Sequence, residues 1–262
     1  EGDFVQTYTE KGFRGNDKEW ESMCIPFDED AKICLNGVID RVDLCSLPGE
    51  ELIKIIDYKS SDSQDLLLAK VYYGLQMQLL TYLEAAKEMV EKEHKGKEAV
   101  PAAMLYYAIK EKNLDWKPES EEEYEKRVLD SMKCKGYVNE EPEIIGHLDK
   151  SVVNGGELIP GQKSGVVPVA VDKKGLLKKN SGTLSTKDFE TLIAHTKEKM
   201  KECGKAILDG KIEAIPYVYE DNDGCTYCPY GSVCGHESKK DGVREMKKMS
   251  DDEVWEALYG DD

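Results

Sequence analysis

Two strand-forming segments joined by a short Pro-Gly turn constrain the fold of this chain more than any other feature. Residues 32–45 and 51–60 are rich in Val, Ile and Leu, which predicts a β-hairpin. Charged residues interrupt both segments where a strand should stay apolar, with Asp40 in the first and Asp57 and Lys59 in the second. Side chains two residues apart in a strand share a face, so Asp57 and Lys59 lie together at the end of an apolar face.

The charges in this hairpin need partners, because a carboxylate and an amine are costly to desolvate unless they pair or hold a cation. Asp40 on the neighbouring strand closes the same site, and two carboxylates beside an amine suit metal-assisted hydrolysis of a phosphodiester. The alternative is an Asp57–Lys59 salt bridge with Asp40 as a surface acid. A strand pattern broken twice, in adjacent strands, favours the functional interpretation. Asp43 lies three residues after Asp40 and is expected to point to the other face, as a supporting residue.

Apolar residues spaced three and four apart predict a helix from about residue 66 to residue 90. Gln78 and Tyr82 are four residues apart and share one face of this helix, whereas Gln76 points elsewhere. On its own, this pair is better explained as the polar boundary of a Leu-rich core helix.

These residues, taken in order, resemble the motifs of the PD-(D/E)xK nucleases. The resembling segments are 37–43, 56–61 and 73–83, and the RecB-like branch is the most similar. Within that branch, the nuclease domains of AddAB-type helicase–nucleases resemble most of the chain. The resemblance implies an α/β fold, a restriction-endonuclease-like mixed sheet flanked by helices with a polar insertion and a Cys-rich C-terminal segment.

The resemblance also implies roles for individual residues. Asp40 and Asp57 would bind Mg²⁺ or Mn²⁺, with the backbone carbonyl of Tyr58 as a further ligand. Lys59 would orient or deprotonate the attacking water. A Gln/Tyr pair borders the active site in this branch, and we assign it to Gln78 and Tyr82, with Gln76 as the alternative glutamine.

The implied activity is that of a metal-dependent DNA exonuclease working in recombinational double-strand-break repair. Its implied partners are DNA and an AddA-like helicase–nuclease subunit, in the cytoplasm. One alternative is a Cas4-type exonuclease, which the long polar stretch at 113–180 disfavours. The other is a non-catalytic module, stabilised by an iron–sulfur cluster or zinc, that binds DNA or a partner. Intact Asp40, Asp57 and Lys59 argue against this module.

Three cysteines near the end of the chain, Cys225, Cys228 and Cys234, have metal-ligand spacing. A Cys₃His zinc site that includes His236 is one interpretation. The resemblance implies instead a [4Fe–4S] cluster whose fourth cysteine lies far upstream. Cys24 is the earliest candidate but lacks the expected surroundings, so we expect this chain to lack a properly bound cluster. The scattered cysteines are expected to be reduced thiols; they are Cys24, Cys34, Cys45, Cys134 and Cys203.

The rest of the chain indicates one nuclease domain over residues 1–262, truncated at its N-terminus because the early acid or histidine motif of the family is missing. Residues 113–180 are polar and predict an irregular insertion with one short helix near 121–129. Residues 217–240 form the Cys-rich segment. A core strand is predicted at 102–109.

A further helix is predicted to begin with the capping pair Ser185 and Asp188 and to stop at Gly210. Its predicted apolar stripe is Phe189, Ile193, Met200, Cys203 and Ile207.

The composition, 40% hydrophobic and 34% charged, is that of an ordinary globular protein. No apolar run reaches the roughly 18 residues of a membrane span, so no membrane partner is expected. The net charge of −17 argues against a free-standing DNA-binding protein. That objection weakens if a partner supplies most of the phosphate-binding surface.

Overall fold

The computed structural model describes residues 2–14, 23–60, 65–109, 117–118, 120–236 and 242–260. The strands are β1 (Val5–Phe13), β2 (Met23–Pro26), β3 (Lys32–Leu35), β4 (Gly37–Leu47), β5 (Glu50–Lys59), β6 (Glu98–Ala108), β7 (Lys135–Asn139), β8 (Val153–Asn154), β9 (Glu157–Leu158), β10 (Thr183–Leu184), β11 (Tyr217–Tyr219), β12 (Asn222–Asp223) and β13 (Arg244–Met246). The α-helices are α1 (Leu68–Tyr72), α2 (Gln78–Glu93), α3 (Glu121–Ser131), α4 (Pro142–Leu148), α5 (Thr186–Leu208), α6 (Gly231–Cys234) and α7 (Asp251–Tyr259).

A six-stranded mixed sheet, in the order β1-β4-β5-β6-β7-β10, organises the molecule. β4 and β5 form the predicted hairpin, which closes at the Leu47–Glu50 pair around Pro48-Gly49. β5 and β6 run parallel, so the chain must cross the sheet between them, and α1 and α2 make that crossover. The mixed sheet flanked by helices confirms the predicted α/β fold class.

Each face of this sheet carries its own hydrophobic core. On one face, Ile53 and Ile55 of β5 pack with Leu83 of α2 and Phe189 of α5. On the other, Leu52 and Ile56 pack with residues between 134 and 169. The alternation of side chains along β5 therefore divides them between two buried layers.

The continuous helix predicted over residues 66–90 is wrong, because the structure divides it into α1 and α2. Gly74 adopts a φ of +76°. The Gly74 backbone N–H donates to Val71 O over 2.9 Å, and that of Leu75 donates to Lys70 O over 2.7 Å. These two bonds form a Schellman motif, which ends a helix at a left-handed glycine. The next helix, α2, then begins at Gln78.

The irregular insertion predicted at 113–180 is also wrong for the described residues of that range. Beyond the expected short helix, here α3, the range contributes β7 to the main sheet and adds α4, β8 and β9. Val138, Ile145 and Val169 from this range are fully buried in the second core. The sequence pattern is weak here because the strands are short and contact the core through few residues.

The helix predicted to begin at Ser185 corresponds to α5. Its start is confirmed, but its apolar stripe is not buried near the end of the helix. Ser185 and Asp188 form the predicted capping box of α5. Of the predicted stripe, however, Cys203 is exposed and the side chain of Ile207 is 73% exposed. The stripe is buried only where α5 faces the rest of the molecule.

Cys24 and Cys34 form a disulfide, so the prediction that both are reduced thiols is wrong. They face each other directly in the β2–β3 pairing, with their Cα atoms 4.1 Å apart. Sequence spacing alone does not reveal this register.

Among the described residues, no helix has the length and apolar character needed to cross a membrane.

Candidate active site

The β4–β5 hairpin brings the two predicted metal-binding carboxylates together. The strand pairing runs as far as Arg41 opposite Ile56, and one further step places Asp40 opposite Asp57. Asp40 Oδ2 accepts a hydrogen bond of 2.8 Å from the backbone N–H of Tyr58, which fixes Asp40 beside the end of β5. Cross-strand neighbours share a face, so both carboxylates lie at the edge of the core that contains Ile53 and Ile55.

Asp57 is buried, with 3% of its surface exposed. The ammonium Nζ of Lys59 lies 2.6 Å from Asp57 Oδ2. This is a close, charge-assisted contact between the ammonium and the buried carboxylate. Burial raises the pKa of Asp57, Lys59 lowers it and the Asp40 carboxylate raises it further, with a net rise.

Lys59 is held from several sides. Gln78 Oε1, at the start of α2, accepts a hydrogen bond of 2.9 Å from Lys59 Nζ. Gln78 Nε2 in turn donates to the Tyr82 hydroxyl over 3.0 Å. The Tyr82 ring packs edge-on against Phe13, with centroids 6.1 Å apart. The structure thus links Asp57, Lys59, Gln78 and Tyr82 in one chain of contacts.

Sequence reasoning missed Tyr106, which forms the floor of this site. It is the direct neighbour of Asp57 in the β5–β6 pairing, and the Lys59 ammonium lies 5.3 Å from the centre of its ring. Burial and then the Asp57 carboxylate raise the pKa of Tyr106 to about 12, so the hydroxyl stays protonated at neutral pH. The available signal was a tyrosine in a buried strand, which does not specify a neighbour.

Two other polar residues of the motif segments lie outside the site. Asp43, completely buried, pairs with Arg41 Nε at 2.6 Å and with Lys54 Nζ at 2.8 Å. This cluster lies on the other face from Asp57, as the alternation along β4 indicates. Gln76 binds the backbone of the chain entering α1, since its side chain accepts from Leu67 N–H and donates to Asp65 O.

The donor set of the hairpin suits a hard cation. Carboxylate oxygens are the ligands that Mg²⁺ and Mn²⁺ prefer. Asp57 is a buried carboxylate, and a buried negative charge is costly unless cations or donors satisfy it. Asp40 and Asp57 therefore fit a divalent metal. The Tyr58 carbonyl as a further ligand stays a prediction.

The Cys-rich segment is a separate feature. Cys225, Cys228 and Cys234 are exposed. Asp223 Oδ1 accepts from the backbone N–H of Cys225 over 2.9 Å. Partial desolvation, Asp223 and the two other thiols raise the pKa of the Cys225 thiol. In the described part of the chain, no three His, Cys, Asp or Glu side chains converge on a common metal position.

Comparison with known proteins agrees with the mixed sheet. Residues 3–235 match the PD-(D/E)XK nuclease superfamily. The chain belongs to this superfamily.

Among individual proteins, the chain is similar to several that are named as the B subunit of an ATP-dependent helicase/deoxyribonuclease. It is 36% identical to that of Lachnoclostridium phytofermentans over 89% of this chain and 20% of the relative. It is 33% identical to that of Thermoanaerobacter sp. strain X514 over 97% of this chain and 21% of the relative. It is 34% identical to that of Clostridium botulinum strain Loch Maree over 98% of this chain and 22% of the relative. The chain thus spans about a fifth of the length of these relatives.

Proposed function

We propose that this chain is the nuclease domain of an AddB-like protein, a Mg²⁺-dependent deoxyribonuclease of exonuclease type. It would act with an AddA-like helicase on DNA ends during recombinational double-strand-break repair. The observation that supports this most is the arrangement of Asp40, Asp57 and Lys59 at the ends of two paired strands, with Gln78 and Tyr82 fixing the lysine. The names of the similar proteins support the assembly and the substrate class.

In this proposal, Asp40 and Asp57 hold the divalent cation. When bound, the cation supplies Lewis-acid stabilisation of the phosphate and lowers the pKa of a coordinated water. The remaining contributions to the reaction come from side chains of the protein. Lys59 places its ammonium beside the reacting phosphate, where it stabilises the developing negative charge and orients the attacking water. Deprotonation of that water by Lys59 would require the neutral amine. Gln78 keeps the Lys59 side chain extended toward that position, and the Tyr106 ring excludes water from beneath it.

The [4Fe–4S] cluster that the family resemblance implies needs a fourth thiolate from outside the Cys-rich segment, and this chain is expected to lack a properly bound cluster. Such clusters are held by four thiolates, and the Cys-rich segment offers Cys225, Cys228 and Cys234. Cys24 is bonded to Cys34 in this structure, and the described free thiols outside the segment are Cys45, Cys134 and Cys203. We derive no step of the reaction from a cluster.

The proposal is tested by Asp57→Asn and Lys59→Met in a digestion of end-labelled single-stranded DNA with Mg²⁺. We expect each substitution to lower the cleavage rate at least about 100-fold, since metal positioning and acid–base assistance each contribute on that scale. Binding of Mn²⁺, followed by electron paramagnetic resonance, should be lost in Asp57→Asn, which gives a readout independent of turnover.

Glu51→Gln is the matched control. Glu51 is also a buried carboxylate of β5, but it lies at the opposite end, where it accepts from Ser46, His94 and Lys97. Its substitution should cost stability and leave the cleavage rate of the folded protein unchanged. An Asp57→Asn protein that still cleaves DNA and binds Mn²⁺ would refute the active-site assignment.

A further inference from the structure

A cavity of about 470 Å³ opens at the sheet edge beside the start of β7. Four lysines line it: Lys133, Lys135, Lys163 and Lys179. Three aspartates line it as well, namely Asp65, Asp130 and Asp251. Four positive against three negative charges leave a balance of +1, in a chain whose net charge is −17. We call this cavity the lysine pocket.

Lys133 is the least neutralised cation of the lysine pocket. Among the described residues, no carboxylate lies within ion-pairing distance of it, and its Nζ donates instead to the carbonyl oxygen of Ser164 over 2.7 Å. Burial lowers the pKa of Lys133 and the neighbouring Lys163 ammonium lowers it further, while Asp130 and Asp149 oppose this shift without cancelling it. Two ammonium groups that repel each other at a partly buried site are stabilised by an anion between or beside them.

Two further lysines of the pocket are held by weak contacts. Lys135 pairs with Asp65 at 2.6 Å, and the two side chains are 37% and 61% exposed. Lys163 pairs with Asp130 at 3.0 Å, with 54% and 43% exposed. Exposed ion pairs of this kind contribute about 0–1 kcal/mol. Either lysine can therefore change its partner from an aspartate to a phosphate at little cost.

The lysine pocket is connected to the candidate active site through the sheet itself. Tyr106 pairs with Asp57 on one side and with Lys135 on the other. Cross-strand neighbours share a face, so Asp57, Tyr106 and Lys135 form one line across β5, β6 and β7. Two strand spacings separate the ends of this line, about 10 Å.

We propose that the lysine pocket binds the phosphate backbone of single-stranded DNA, and that this strand runs along the Asp57–Tyr106–Lys135 line into the active site. The inference rests on the proposed nuclease function and specifies where its substrate lies. The pocket supplies a local cationic surface in a chain whose net charge is −17. Because the contacts are to phosphates, they position the strand without reading its sequence.

The test measures binding of fluorescein-labelled oligothymidylate by fluorescence anisotropy, in EDTA so that no cleavage occurs, over a series of salt concentrations. Each lysine–phosphate contact in single-stranded DNA contributes about 0.7 to the slope of log affinity against log salt. Removing Lys133, Lys135 and Lys163 together by substitution to Ala should therefore reduce the magnitude of that slope by about 2. The corresponding triple Arg variant should retain the wild-type slope.

Lys201→Ala is the matched control, because Lys201 also forms an ion pair of 2.6 Å and is 35% exposed, but lies on α5 outside the pocket. It should leave the slope unchanged. A triple Ala variant with the wild-type thermal midpoint and the wild-type slope would overturn the inference. This outcome is distinct from failure of the proposed function, because Asp57→Asn should abolish cleavage and keep the full slope. Cleavage that survives Asp57→Asn would refute the nuclease assignment whatever the lysines do.

Discussion

Lys59 is the residue on which the geometry of the site depends. Its ammonium contacts Asp57 and Gln78 and lies over the ring of Tyr106. A lysine side chain loses about 2 kcal/mol of rotamer entropy when it is fixed. Here that cost is offset by an ion pair, a hydrogen bond and a cation–π contact. The lysine is thereby preorganised before any substrate binds.

The two nearby glutamines should respond differently to substitution. Gln78→Ala removes the acceptor that fixes Lys59, so we expect a rate of cleavage about 10- to 100-fold lower, the usual effect of losing a supporting contact at a metal site. The free energy of unfolding should change little. Gln76→Ala removes two bonds to the backbone at 65 and 67 and should instead lower stability by about 1–2 kcal/mol. Parallel measurements of turnover and of urea unfolding check both.

The opposite pattern would reassign the motif glutamine. If Gln76→Ala slowed cleavage in a protein of normal stability while Gln78→Ala did not, Gln76 would be the residue that supports the chemistry.

At this scale, the sequence predicts much of the site's geometry. The proximity of Asp57 to Lys59 follows from strand alternation, and that of Gln78 to Tyr82 from helix periodicity. Both are local patterns. Tyr106 could not be predicted, because its place beside Asp57 depends on the parallel pairing of β5 with β6, which no local pattern specifies.

At the scale of elements, the break between α1 and α2 sets the position of the site residues on the crossover. A continuous helix would carry the apolar stripe without interruption, which is why periodicity alone predicts one helix. The Schellman motif at Gly74 ends α1, and Gln78 becomes the first residue of α2. A glycine inside an amphipathic pattern is the one local sign of such a break, and it is a weak sign.

Two glycines with positive φ provide an element-scale prediction. At Gly74 a Cβ atom would meet nothing closer than 3.7 Å, so Gly74→Ala should cost only the backbone strain of φ +76°, about 1–2 kcal/mol. At Gly136, φ is +126° and a Cβ atom would lie 2.3 Å from the carbonyl oxygen of Met104. Gly136→Ala should therefore cost at least twice as much, because β6 and β7 must separate.

Urea unfolding of both variants measures the difference. Equal losses of stability would show that the close approach of β6 to β7 at Gly136 is relaxed in solution.

The range 113–180 was the least predictable part of the chain. Its strands span two to five residues, too few for a period to emerge, and its buried valines are separated by turns. What orders them is the second face of the sheet, built by Leu52 and Ile56 far earlier in the sequence. Tertiary packing rather than local propensity determines the structure there.

At the scale of the whole molecule, two buried carboxylates should set the response to acid. Glu51 and Asp149 are buried, and although burial opposes ionisation, hydrogen bonds outweigh it and lower the pKa of each. The donors are Ser46, Lys97 and His94 for Glu51, and Ser164 and Ser151 for Asp149. The ordinary pKa is 4.5 for Glu51 and 3.8 for Asp149. Because the folded-state pKa of each is lower, each carboxylate stabilises the fold fully at pH values above its ordinary pKa. That stabilisation is lost as the pH falls through the folded-state pKa.

We therefore expect Asp149→Asn to lower the free energy of unfolding by about 1–3 kcal/mol at neutral pH, the cost of breaking charged hydrogen bonds. The difference from wild type should narrow as pH falls below 3.8, because the wild-type carboxylate is protonated first in the unfolded state and then, at its lower folded-state pKa, in the native state. Urea unfolding at a series of pH values measures this. A difference that is constant down to the acid transition would mean that Asp149 contributes through its shape and not its charge.

The position of β5 in the middle of the sheet limits how this protein can diverge. β5 pairs with β4 on one side and with β6 on the other, and its side chains serve both cores. Deleting one residue before Asp57 would turn Asp57 and Lys59 to the opposite face together and bring Tyr58 into the place of Asp57. Descendants of this chain can thus exchange residues in β5, but an insertion or deletion there would remove the chemistry in a single step.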